Sequence, residues 1–347
     1  MAALLSALLF GAATPLAKVL LHSTSPWLLA GLLYAGSGIA LTCLRWVRRR
    51  GARSSLSRKE WGYLGAAILT GGVIAPVLLM SGLTRMPAGE ASLLLNAEGV
   101  FTALLAWFVF AENFDRRIAL GMLAIAAGAV ALSWSPADVE THIGGSLLVL
   151  AACFAWAIDN NLTRKVALID ATWLASIKGL AAGATNLVLA MAVGARLPGV
   201  VTTAEALVIG AIAYGASLVL FVTALRQLGT ARTTAYFSLA PFAGALVAIV
   251  WLREPLTASL AVAAILMGIG VWLHLTERHE HLHRHKLLEH EHEHVHDEHH
   301  QHSHSEQVTP GVAHSHRHVH EPIMHSHHHF PDAHHEHKHS DAKPPLE

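Results

Sequence analysis

Ionisable side chains stand inside long apolar runs of this sequence: Glu98, Asp159 and Lys178. In hydrocarbon such groups are costly, and they face a cavity or a partner. Glu98 lies near the middle of the run at 91–110, with Asn96 two residues before it. A carboxylate stripped of its hydration there becomes a proton-exchanging or cation-contacting group. The competing reading is a structural glutamate, hydrogen-bonded between helices. Asp159 lies near the end of the run at 144–162, and Lys178 near the start of the run at 173–193. If the two runs form a helical hairpin, the charges reach similar depth and neutralise each other, which limits the cost of burying either alone. Asn186 follows Lys178 by eight residues and shares its helical face. That polar stripe reads either as a cavity lining or as a clamp between helices, the clamp being preferred. Lys18, near the end of the first run, reads as a side chain that snorkels to the interface.

A second chemistry sits at the C-terminus. Of 27 histidines, 24 follow Glu277. The densest cluster holds His279, His281, His283, His285, His290, His292, His294, His296, His299, His300, His302 and His304, mostly as His-X-His with acidic residues between. Neutral imidazole suits Zn²⁺, Ni²⁺, Co²⁺ and Cu²⁺. The tail is therefore expected to hold transition-metal ions, as a buffer, a sensor or a delivery device. A pH-responsive tail is the competing reading, because free histidine titrates near about 6.5. With almost nothing apolar to bury, residues 276–347 are expected to be disordered without ligand. No obligatory cofactor is implied.

The elements that must hold these groups follow from hydropathy. The chain has 347 residues, 53% of them apolar and 14% charged, with mean hydropathy +0.44. That excludes a single water-soluble core. Ten runs are close to the roughly 20 residues that cross hydrocarbon: 2–21, 27–47, 61–83, 91–110, 118–134, 144–162, 173–193, 206–225, 233–252 and 256–275. They are rich in Ala, Leu and Gly and do not alternate, so they read as helices rather than barrel strands. The first run has no basic segment before it and reads as a span, not a cleaved leader. Charge divides sharply, +7 over residues 1–275 and −7 over 276–347 with histidine neutral. Alternate loops carry 13 and 3 cations, the 13 including Arg45, Arg58, Arg116, Arg164 and Arg226. The positive-inside rule puts the richer side and both termini in the cytoplasm, with the chain in the inner membrane. Cys43 and Cys153 lie in apolar runs and offer no disulfide framework. There is no basic stripe for nucleic acid. The absence of a phosphate loop or nucleophile elbow argues against an ATP-driven pump or an enzyme. The expected partners are the lipid bilayer and a small-molecule or metal-ion substrate, with a homodimer as the one protein assembly considered.

The chain also repeats. Residues 83–131 align without a gap on 225–273, a shift of 142, with seven identities that include Glu112/Glu254 and Gly128/Gly270. Repeats at 1–135 and 144–275 would each hold five helices. An odd number inverts the second copy, as in many secondary transporters. Pro15, and Gly71, Gly72 and Pro76 in the third run, interrupt helical bonding and are hinge candidates for alternating access.

Residues 95–107 (LNAEGVFTALLAW), followed by Glu112, resemble the fourth helix of EamA-like members of the drug/metabolite transporter superfamily. Residues 224–229 (ALRQLG), 239–241 (LAP) and 253–257 (REPLT) resemble its second copy. The first copy has Gly99 where a proline is usual, whereas the second keeps Pro241, a further hinge candidate. The resemblance covers residues 2–275. It implies an all-α integral membrane fold of ten helices in two inverted repeats, and movement of small solutes ranging from amino acids to divalent metals. With the His-rich tail, efflux of a divalent metal (Ni, Co or Zn) is the preferred expectation. Export of an amino acid or metabolite, with the tail only buffering metal, is the alternative. A membrane-tethered metal-binding protein is the reading from another class.

Overall fold

The computed structural model of the chain describes residues 1–48, 56–110, 116–133, 139–166, 170–276, 280–284, 288–294, 314–320 and 324–328. Ten helices are long and apolar enough to cross a membrane. They are α1 Ala2–Leu20, α2 Pro26–Val47, α3 Arg58–Leu83, α4 Ala88–Phe108, α5 Arg116–Ser133, α6 Ile143–Arg164, α7 Ala171–Ala192, α8 Val200–Leu225, α9 Thr233–Trp251 and α10 Ala258–Leu275. Local sequence sets several starts. Ser25 caps α2 with Pro26 in its first turn. Ser57 and Glu60 form a capping box on α3. Thr257 accepts the Leu260 amide at 3.1 Å to begin α10.

The two copies interdigitate. α1 packs on α8 and α9, as α6 packs on α3 and α4, while α2 lies along α7 and α5 along α10. Small residues make these crossings close. A Cβ built on Gly179 of α7 would stand 2.8 Å from the Gly38 Cα of α2. Gly179→Val is therefore expected to destabilise the bundle by about 1–3 kcal/mol through overpacking. Thermal unfolding in detergent measures this, and an unchanged midpoint would contradict it.

The shift of 142 reappears in the backbone. α3 holds a π-helical stretch at Ile68–Ile74 and α8 holds one at Gly210–Ala216, offset by that same number. A π turn widens the helix and frees carbonyls from regular bonding. Pro76 sits in the first turn of the α-helical stretch that follows, Ala75–Leu83. Pro15 lies inside a continuous α1, where its missing amide removes one helical hydrogen bond. The junction expected as a loop at 226–232 is helical instead, with turns running over Ser217–Phe237. The chain still reverses there. Sixteen residues of straight helix would span about 24 Å, yet the Phe221 and Phe237 rings lie 4.8 Å apart.

The C-terminal unit is separate. Its described residues form four short strands. β1 Glu280–Arg284 pairs antiparallel with β4 Met324–His328, and β2 Leu288–His294 with β3 His314–His320. His-X-His runs have the period of two that an extended strand uses, and a second such run supplies its backbone partners. His281 and His283 fall on β1, and His290, His292 and His294 on β2. His279, His285, His296, His299, His300, His302 and His304 lie outside the described residues.

Candidate substrate cavity

A cavity of about 450 Å³ occupies the middle of the bundle. Its aromatic wall is Phe10, Tyr34, Trp156, Tyr214 and Phe237, and its polar groups include Glu98 and Asn96. Four of these rings form a connected cluster. Phe10 meets Tyr214 at 5.7 Å and Phe237 at 5.2 Å, and Tyr34 meets Tyr214 at 5.8 Å. The lining reaches Thr234 near the start of α9 and Leu275 at the end of α10. Those ends share a face with the start of α1, so the helical bundle begins and ends on one face, its termini face. The cavity therefore approaches the termini face, and in α4 its lining goes no further toward the opposite face than Ser92.

Glu98 is brought to the cavity by a break in α4. The helix stops at Leu94 and restarts at Ala97. Between them the bonds tighten to three-residue spacing, Leu95 N to Ser92 O at 3.2 Å and Asn96 N to Leu93 O at 3.0 Å. The Asn96 side-chain amide also donates to Leu93 O at 2.9 Å, competing with the helix for that carbonyl. The second copy repeats the device. Ser238, 142 positions on, donates from its hydroxyl to Ala235 O at 2.8 Å, just before Pro241. Gly99 in place of proline therefore does not leave α4 intact, because a side chain breaks the helix instead.

Asn160 of α6 donates to Glu98 Oε1 at 2.8 Å and approaches Thr102 Oγ1 at 3.4 Å. Asn160 was not among the expected partners, although it lies beside Asp159. The repeat offers a signal for it, since Asn160 stands 142 positions after Lys18.

The expected pairing of Asp159 with Lys178 is present. Lys178 Nζ donates to Asp159 Oδ1 at 2.5 Å and to Thr163 Oγ1 at 3.1 Å, and Thr163 itself donates to Asp159 Oδ1 at 2.8 Å. Asp159 also lies against Gly71, where a built Cβ would collide with Oδ2. The π stretch around Gly71 and Gly72 is held by donors from three other helices. Tyr34 and Trp156 both donate to Gly71 O at 2.9 Å, and Asn186 donates to Gly72 O at 2.9 Å. Asn186 is thus a clamp on freed backbone and does not line the cavity.

Lys18 departs from expectation. Rather than snorkelling, its ammonium donates to Leu83 O and, at 3.1 Å, to Met86 O, at the C-terminal end of α3. At the start of α4, Glu254 accepts the Ala88 amide at 2.7 Å and the Gly89 amide at 2.8 Å. A cation on helix-end carbonyls and an anion on helix-start amides each complement the helix dipole.

A ten-helix bundle of two interleaved copies around a polar-aromatic cavity has the architecture of a membrane carrier. The model of the EamA-like transporter family matches residues 1–134 and again 143–276, and the chain belongs to that family. An uncharacterized transporter of Methanothermobacter thermautotrophicus is 29% identical over 76% of this chain and 82% of its own. A probable amino-acid metabolite efflux pump of Salmonella typhimurium is 32% identical over 47% of this chain and 52% of its own length. A solved structure described only as a crystal structure of a protein shares the fold, with TM-score 0.58, 19% identity, and coverage of 79% of this chain and 95% of that one.

Proposed function

We propose that this protein is a secondary exporter of a small organic solute bearing an amino group. The observation that carries this reading is a single carboxylate, Glu98, among the cavity's described lining residues, which are otherwise mostly aromatic and apolar. A cavity of about 450 Å³ suits a small ligand. Carboxylate and ring faces together favour an organic ammonium, each cation–π contact adding about 0.5–2 kcal/mol. A dehydrated divalent metal needs several N, O or S ligands, and among the cavity-lining residues only Glu98 and His274 have side chains of the usual ligating types. The Salmonella relative's description as an amino-acid metabolite efflux pump supports the same reading. The excess of cations on the termini-side loops supports a cavity mouth on the cytoplasmic face of the inner membrane, as export requires. Counterflow in vesicles tests it, with labelled amino acids and amines run beside Ni²⁺, Co²⁺ and Zn²⁺. Exchange of an amino compound is the expected result. Movement of metal alone would overturn it.

The tail supports a second activity, metal binding, because 24 histidines follow Glu277. The full-length protein is expected to bind several Zn²⁺ or Ni²⁺ ions at pH 7.5, and a chain lacking residues 277–347 to lose most of that capacity. Binding should weaken as pH falls below about 6.5, since the ligand is neutral imidazole. Equal metal uptake by both chains in calorimetry would remove the tail from this role. Deleting the tail is expected to leave amino-solute counterflow intact.

A further inference from the structure

We infer that Lys18 and Glu254 form the latch that shuts the cavity on the face opposite the termini. Both side chains act on one turn, residues 84–87, between α3 and α4. Lys18 holds its entry through Leu83 O and Met86 O, and Glu254 holds its exit through the Ala88 and Gly89 amides. Lys18 belongs to the first copy, and Glu254 to the turn between α9 and α10 of the second. The 84–87 turn is therefore gripped from both copies at once. Separating α4 from α9 on this face requires breaking at least the two Glu254 bonds.

The backbone is bent to aim Glu254. Arg253 adopts φ 55°, a left-handed conformation uncommon for a residue with a Cβ. That conformation returns the Glu254 amide to Ala248 O at 3.2 Å, closing the end of α9 as glycine ordinarily does. Strain of this kind persists where surrounding contacts impose it, and the contacts here are the two amides of α4. A Cβ on Gly89 would come within 3.2 Å of Glu254 Oε2, so the carboxylate sits directly on the helix start. Below the latch the plug is made of small residues. A Cβ on Gly244 of α9 would lie 2.6 Å from Gly11 O and 2.7 Å from Ser92 Oγ.

The opposite gate differs in kind. The place 142 positions after Lys18 is held by Asn160, which is neutral and turned to Glu98 and Thr102. On the closed face an ammonium grips a helix end. On the face where the cavity opens, its counterpart serves the cavity carboxylate. The latch goes beyond the transport reading, and its test needs no substrate.

The reporter is Ser92→Cys, beneath the latch, in full-length protein with Cys43→Ser and Cys153→Ala. A membrane-impermeant maleimide is applied to intact cells and to inverted vesicles, and a C-terminal reporter fusion assigns the faces. With the latch intact, labelling from the face opposite the termini is expected to be slow. Lys18→Met and Glu254→Gln should each raise that rate about tenfold, while labelling from the termini face does not rise. A general loosening would raise both. If Lys18→Met fails to assemble, Lys18→Gln keeps a donor and is expected to give a smaller increase of the same sidedness. Rates unchanged in every assembled variant, raised equally on both faces, or already fast in the parent would each overturn the latch.

Discussion

Glu98→Gln is expected to leave a folded, inserted protein that no longer couples solute movement to a proton gradient. The carbonyl of the substituted side chain would still accept from the Asn160 amide that now lies 2.8 Å from Glu98 Oε1, so the contact between α4 and α6 survives. What disappears is the cavity carboxylate and its capacity to take up and release a proton. A hydrogen bond to a charged group contributes about 1.5–3 kcal/mol, which is roughly a ten- to hundredfold weakening for an ammonium solute. Gradient-driven transport should fall to background, and whatever exchange remains should lose its dependence on pH. The measurement is uptake into vesicles under an imposed pH difference, with equilibrium exchange at several pH values as its partner. Near-normal transport with an unchanged pH profile would make Glu98 a packing residue, since glutamine serves structural contacts equally well.

The largest stability effect is expected at the ion pair. Asp159 and Lys178 have side chains only 9% and 18% exposed and meet at 2.5 Å. Asp159→Asn alone leaves a mostly buried ammonium with Thr163 and a neutral amide. Lys178→Met alone leaves a buried carboxylate against Gly71. Removing one partner of such a pair costs about 3–5 kcal/mol, because the remaining charge has lost both water and its counter-ion. The double variant removes both desolvation costs and should recover much of the loss. Thermal unfolding of the three variants forms a double-mutant cycle. Additive losses would show that the two charges do not stabilise each other.

The depth of Glu98 was legible because an acidic residue inside an apolar run cannot be placed elsewhere. The Asp159–Lys178 pair was legible because a hairpin of adjacent helices fixes the relative height of residues near its turn. Asn186 was legible as a clamp, but its acceptor was not. That acceptor is a carbonyl freed by a π turn, which the glycines at 71 and 72 signal only as a weak spot. The break in α4 was obscured for a related reason. Proline advertises a break through its missing amide, whereas Asn96 makes one by a side-chain bond visible only once the backbone is in place. Lys18 was misplaced because a long side chain near a helix end normally reaches water. Here it finds helix-end carbonyls instead.

The number of spans, the side on which loop charge accumulates and the offset of 142 between the copies can all be read along the chain. These are local or periodic quantities, set by how many apolar residues cross a bilayer and by the spacing of matched residues. The partners of the buried polar groups are set by packing between distant segments. Lys18 bonds 65 residues away, and the Ala88 amide bonds 166 residues away. Each copy's first helix packs against the third and fourth helices of the other. Hydrocarbon supplies no hydrogen bonds, so backbone groups at membrane depth must be satisfied within the protein. Which partner does so depends on how the two copies interleave, and no local pattern in the chain encodes that arrangement.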